Sequence, residues 1–202
     1  FLTYTPTTPE HKRLLRRSNF GRFSTEYKGE FVWYVPEQMR KHRTTARPGD
    51  RERFERPKIL VQDIGKCLVG TLDDDHFYVK DALMLHQREK GLDLKFVLAL
   101  INSKLLNYWY VQKFSTLSVA KNAILQLPIH TIDFNNPTDK KMHDDLVALV
   151  DRMLELNKRL APIRNTPSSE REELDREIKR TDEEIDQKVY ELYGLTEEEK
   201  QV

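Results

Sequence analysis

The residues with the most obvious catalytic chemistry are few and scattered. Six histidines stand at positions 11, 42, 76, 86, 130 and 143, and none forms HxxxH or HExxH, so the helical spacing that aims two imidazoles at one metal is missing. The only cysteine, Cys67, excludes an internal disulfide and any site built from several thiolates; its apolar neighbours predict a buried thiol. The acidic triplet Asp73 to Asp75 can grip a cation, but adjacent carboxylates at a predicted hairpin tip read first as turn formers. His143, beside Asp144 and Asp145 in the first turn of a helix, reads as part of a solvated face. Glu26-Tyr27-Lys28 and Glu198-Glu199-Lys200 each spell ExK, the end of a metal-dependent nuclease motif, with no Asp placed before the first. No GxG pair, GxxxxGK[ST] or GxSxG occurs, which leaves nucleotide-driven and serine-based catalysis without a carrier.

The positive chemistry is electrostatic. Net charge is only +1, from 34 Lys+Arg and 33 Asp+Glu, yet it is unevenly spread. Residues 1 to 66 hold 15 basic and 8 acidic residues, residues 67 to 140 hold 8 and 8, and residues 141 to 202 hold 11 and 17. The segment 38 to 57 alone carries Arg40, Lys41, Arg43, Arg47, Arg51, Arg53 and Arg56 with no apolar period before Phe54. It reads as a long basic loop, with a solvated linker as the plain alternative. Arg and Lys in that density neutralise phosphates, and Arg, His, Thr and Gln can donate to base edges, so nucleic acid is favoured over an acidic protein partner.

The elements that must position these residues follow from pattern. Thr8-Pro9-Glu10 reads as an N-cap and first turn of a short basic helix over 9 to 17. The stretches 30 to 36, 57 to 65, 66 to 72 and 76 to 86 are β-branched and aromatic, predicting an antiparallel or mixed sheet, with a turn at Asp73 to Asp75. Apolar residues recur at threes and fours over 92 to 114, predicting one amphipathic helix on that sheet. Residues 115 to 137 read as a loop followed by a short helix or strand.

In the last third Leu146, Leu149, Met153, Leu156, Leu160 and Ile163, then Leu174, Ile178, Ile185 and Leu192, mark two helices of about 20 residues. They break at Pro162 and Pro167, restart with a Ser169/Glu172 capping box, and end at Gly194. An antiparallel hairpin is expected. The fold class is therefore α+β: a small mixed or antiparallel sheet with packed helices over 1 to 137, then a helical hairpin over 138 to 202. The start at Phe1, and a Thr196/Glu199 capping box at a helix barely entered, predict a piece of a longer polypeptide. No run approaches the ~18 apolar residues of a membrane span, and a lone cysteine suits a reducing cytoplasm.

Three stretches in order carry a resemblance: PKILVQDIG (57 to 65) leading into a segment ending FYV; ALINSKLLNYWYVQKF (99 to 114) followed by LQLPI; and HDDLVALVDRMLELNKRLA with LYGLTEEE. Over roughly 57 to 200 they resemble the TaqI-like C-terminal specificity domain. This is the target-recognition domain of adenine-specific DNA methyltransferases and fused type IIG restriction-modification enzymes; type I restriction specificity subunits are similar. The resemblance implies a module that binds double-stranded DNA and positions a methyltransferase or nuclease domain in cis or in trans, with the hairpin as spacer and docking arm. A protein-protein interaction module built on that hairpin is the alternative. The catalytic [DNS]PP[YFW] motif is absent, so the segment carries no catalytic residue, metal or cofactor of its own; S-adenosylmethionine and, for a nuclease, Mg²⁺ belong to the parent enzyme. Relatives place a basic residue between the helix and LPI, a role that falls here to Lys121. Base-reading loops vary between relatives, so Arg40, Lys41, Arg43, Thr44 and Arg47 are selected on chemistry alone. Lys113, Ser115, Thr116 and Ser118 follow because they succeed the supporting helix.

Overall fold

A computed structural model describes residues 1–87, 92–114 and 116–201, residue 201 by its backbone only. Strands β1 (Leu2–Thr3), β2 (His11–Arg16) and β5 (Phe31–Trp33) join β8 (Tyr78–Lys80) in a mixed sheet of order β1-β5-β2-β8, with β8 parallel to β2 and the other pairs antiparallel. A second, antiparallel sheet sets β6 (Lys58–Gln62) between β7 (Gly70–Asp73) and β9 (Ala82–Leu85). Between them in sequence, β3 (Phe20–Gly21) and β4 (Ser24–Thr25) form a small ribbon. The α+β class is observed.

Residues 9 to 17 are not the predicted helix: the strand β2 occupies their centre. The reason is burial on two faces. Leu14 packs with Val32, Tyr34, Phe54 and Tyr78, while its neighbour Leu15 packs with Phe20, Leu60 and Phe77. Consecutive residues can enter opposite cores only at a period of two. The Asp73 to Asp75 turn is also not a hairpin tip, because β7 pairs with β6 whereas β8 crosses to the other sheet. At Asp81, with φ +60°, the chain bends from β8 straight into β9 and changes sheets, a left-handed conformation that Asp tolerates better than most residues.

The predicted helix over 92 to 114 is two helices, α3 (Leu94–Asn102) and α4 (Lys104–Lys113), broken at Ser103. The apolar period runs through the break, but polar groups decide it. Ser103, at ψ 152°, accepts from the Leu106 N–H. The buried Asn102 amide binds both the N–H and the C=O of Gly70, each at 2.9 Å. The buried Asp186 carboxylate accepts the Lys104 N–H at 2.8 Å and pairs with its ammonium at 3.1 Å. Orphan donors at a new helix start are thereby satisfied from outside the helix.

The helical hairpin is present. It consists of α6 (Pro137–Leu160), capped by Asn136, and α7 (Ser169–Leu192), capped by Ser168 one residue before the predicted cap, each of 24 residues. Gly194, φ +69°, follows α7. Leu146, Val150, Met153, Ile185 and Val189 enter the main core with Phe96, Leu98 and Ile101, whereas Leu156, Leu160 and Leu174 form a satellite core. Arg22 reaches from the β3–β4 ribbon to Asp182 of α7 at 2.6 Å. His143, predicted on a solvated face, is buried between the rings of Phe96 and Phe134, 5.1 Å from each, with Nδ1 3.0 Å from the Asp144 carboxylate.

Candidate nucleic-acid interface

The basic segment is neither a linker nor wholly a loop. It contains α1 (Pro36–His42), a turn at 43 to 46, and α2 (Arg51–Phe54), whose Asp50 cap accepts from the Glu52 N–H. Phe54 anchors it, stacked on Tyr78 at 4.6 Å and edge-on to Tyr34 at 6.0 Å. The Tyr34 hydroxyl donates to the Gly49 carbonyl at 3.1 Å. Gly49 is required twice over: its φ is +80°, and a Cβ there would lie 2.8 Å from the Phe54 ring.

The segment is locked at its base by charge. Lys58 and Asp73 are fully buried cross-strand neighbours in β6 and β7, their charged atoms 2.6 Å apart. The Lys58 ammonium also donates to the Phe54 carbonyl at 2.6 Å, and the Asp73 carboxylate accepts the N–H groups of Asp75 (3.0 Å) and Phe77 (3.1 Å). Burial pushes the Asp73 carboxyl above its ordinary range, against the pull of Lys58 and those donors. Of the acidic triplet only Asp74 and Asp75 are exposed; Asp73 forms the turn, its carboxylate accepting the Asp75 N–H two residues on, and is at the same time a core ion-pair member.

On this frame Arg40, Lys41, Arg43, Thr44 and Arg47 are all exposed. Arg43 Nε donates to Thr45 Oγ1 at 2.9 Å and Arg47 to the Ala46 carbonyl at 3.2 Å, contacts that shape the turn without neutralising charge. None of Arg40, Lys41, Arg43, Arg47, Arg51 and Arg53 forms an ion pair with a described carboxylate. The cations of β2 and its surroundings contrast with them. Arg16 binds Glu30 through two hydrogen bonds, Arg17 pairs with Asp63, Lys12 with Glu55 and Arg13 with Asp75. Beneath the segment lies a groove of about 390 Å³, floored by Leu14, Val32 and Tyr78 and rimmed by His42, Arg43 and Arg47.

The second set of predicted residues lies elsewhere. Lys113 is drawn over the Trp109 ring, 4.7 Å from its centroid. Thr116 Oγ1 donates to the Ser118 carbonyl, and Ser118 forms a β-bridge with Ile64. Lys121 opens α5 (Lys121–Ile124), exposed. Ser115 is outside the described residues. The first set is anchored where β6 begins, through Phe54 and Lys58; the second where β6 ends, through Ile64. The structure therefore gathers each set but does not join the two.

Sequence reasoning missed the β6–β7 tip. There Cys67, expected buried, is exposed, beside exposed Ile64 and Lys66. Apolar neighbours in sequence misled, since Leu68 turns inward while Cys67 does not. It also missed the Lys58–Asp73 lock, for which a lysine opening an otherwise apolar strand is the available signal. Of the ExK triplets, Glu26 and Lys28 pair with each other at 3.7 Å and Lys200 pairs with Glu197. Among the described residues no group of three or more His, Cys, Asp or Glu is placed to hold a metal ion, and no helix is long and apolar enough to cross a membrane.

A family model, that of the TaqI-like C-terminal specificity domain, matches residues 12–129, more than half of the chain. The match starts earlier than the resemblance read from the sequence, taking in β2 and the whole basic segment, and it stops short of the helical hairpin. No curated protein matches the chain.

Proposed function

The chain belongs to the TaqI-like C-terminal specificity domain family, and from that membership we propose that it reads the double-stranded DNA target of a restriction-modification enzyme. In this reading it serves, in the bacterial cytoplasm, a separate domain that methylates adenine N6 with S-adenosylmethionine or cleaves the duplex. The observation that carries the reading is the contrast in charge compensation. Lys12, Arg13, Arg16 and Arg17 in and beside β2 are paired with carboxylates, while Arg40, Lys41, Arg43, Arg47, Arg51 and Arg53 of the 36 to 57 segment pair with no described carboxylate.

Free cations held in fixed positions displace phosphate counterions and, through Arg on guanine, discriminate between bases. Arg40, Lys41, Arg43, Thr44 and Arg47 are the primary DNA-contacting residues, with Lys113, Thr116, Ser118 and Lys121, and Ser115 beside them, as a second group. The hairpin, acidic in net charge, is the arm that holds the catalytic domain, since an acidic surface avoids phosphate.

The test is selection of the purified chain on a randomised duplex pool at two salt concentrations, with the retained DNA sequenced. The expected result is enrichment of one short site with affinity falling steeply as salt rises. Binding that is absent, or indifferent to sequence at both salts, overturns the reading.

A further inference from the structure

We infer that the β6–β7 tip and the segment facing it, presenting Ile64, Lys66, Leu117 and Lys121, form a second DNA-contacting surface that grips the duplex outside the base pairs met by the 36 to 57 segment. This rests on the target-recognition reading and adds to it a surface and a place on the DNA.

The surface is built rather than loose. The Gly65 N–H donates to the Leu117 carbonyl and the Val119 N–H to the Asp63 carbonyl, both at 2.8 Å, on either side of the Ile64–Ser118 bridge. The Leu68 N–H is taken by the Asn107 side chain at 2.6 Å, and Leu68 and Val119 are buried beneath. Above this support Ile64 is 50% and Leu117 61% exposed. Backbone pairing prevents these two apolar residues from collapsing inward, so they are held out toward a partner.

Charge names the partner. Residues 94 to 132 contain four lysines and no Asp or Glu, in a chain that is 33% charged. Between 57 and 72 the sole acid is Asp63, and Arg17 neutralises it at 3.1 Å. Lys66 and Lys121 are exposed and pair with no described carboxylate. A surface of apolar tips and ammonium groups, whose own segments 57 to 72 and 94 to 132 carry no acid but the paired Asp63, suits phosphates flanking sugar edges and thymine methyls. A two-stranded ribbon is also of a size that a groove admits.

Position places the contact. The two cationic sets are anchored at opposite ends of the five residues of β6, about 17 Å apart at ~3.3 Å per residue. Along a duplex that distance is about five steps of ~3.4 Å per strand. The tip therefore meets the flank of the site, not the groove segment read by Arg40 to Arg47.

Cys67, the chain's only cysteine, is exposed on this tip and makes the test direct. The full chain is bound to its selected duplex carrying a thiol tether at successive positions, and disulfide capture is mapped. Cross-linking confined to one flank is expected. The Lys66→Gln variant should keep its base preference and thermal midpoint while the slope of log affinity against log salt falls by about 1, near 0.9 per phosphate. Leu117→Ser should weaken binding to a long duplex and leave binding to one trimmed to the core site unchanged. If the parent chain selects a site but Cys67 captures no flank and the Lys66→Gln variant keeps the parent slope, the surface is wrong and the target-recognition reading stands. Failure of the parent chain to select any site removes both. Protection of Cys67 from alkylation by a methyltransferase domain, in the absence of DNA, assigns the face to protein docking and also overturns the inference.

Discussion

Replacing Lys58 by Met tests whether the basic segment is held by a buried charge. The side chain has similar length, so the change leaves the packing volume nearly intact and removes only the ammonium. Asp73 then remains fully buried, with two backbone N–H donors and no cation. Breaking one side of a buried pair costs about 3–5 kcal/mol, which at 1.4 kcal/mol per tenfold is two to nearly four powers of ten in the folding equilibrium. Lys58→Met with Asp73→Leu should recover part of that loss, because an apolar pair carries no desolvation penalty. What it does not recover is ~1–3 kcal/mol for each group left buried without a partner, the Phe54 carbonyl and the Phe77 N–H first among them. Burial already raises the Asp73 carboxyl, so the folded state favours its neutral form, and the single variant should regain stability as pH falls through that raised value. Urea midpoints followed by fluorescence of Trp33 and Trp109 measure all three proteins, and duplex selection reports the consequence for DNA. The double variant should bind with the parent's salt dependence but discriminate sites less well, since its basic segment has lost the Phe54 tether. A loss below ~1 kcal/mol in the single variant, or a double variant no better than the single, refutes the argument.

Asn102→Ala should cost about 1–3 kcal/mol by stranding the buried Gly70 N–H, and the Gly70 amide should exchange faster with solvent; unchanged exchange would remove Asn102 as the clamp between α3 and β7. The Arg16 hydrogen bonds hold the Glu30 carboxyl below its usual range, so this pair stabilises the fold above the unfolded-state value of about 4.3 and is lost as pH falls through the lower folded value. Glu30→Gln should therefore narrow the difference between urea midpoints at pH 7 and pH 3.5. Arg43→Ala should weaken cognate binding and lower the salt slope by about 1, whereas Lys179→Ala on the exposed face of α7 should change neither, as measured by fluorescence anisotropy over a salt series.

How far the sequence could be read depended on the range of the forces involved. The two long helices are legible because their apolar repeats are local: Leu146 to Leu160 and Leu174 to Ile185 face inward as the spacing requires, and the second helix starts one residue from the Ser169 cap read from the sequence. Strands β5, β6 and β7 follow for the same local reason. The segment 9 to 17 misleads because its charged residues favour a helix in isolation, and the pairing with β5 and β8 that overrides this comes from residues 18 to 64 positions away. The division of 92 to 114 was hidden likewise, since Asn102 and Lys104 answer to Gly70 and Asp186, neither of them a neighbour in sequence.

By itself, then, the sequence determined the α+β class, the helical hairpin, the family resemblance and the concentration of cations between 38 and 57, all properties of composition and short-range order. Only the tertiary structure decided which of those cations are free. Arg13, Arg16 and Arg17 are as basic as Arg40, Arg43 and Arg47, but Asp75, Glu30 and Asp63 are folded against the first three, while the described carboxylates leave the last three unpaired. Charge compensation acts through space over a few ångströms, and spacing along the chain does not report it.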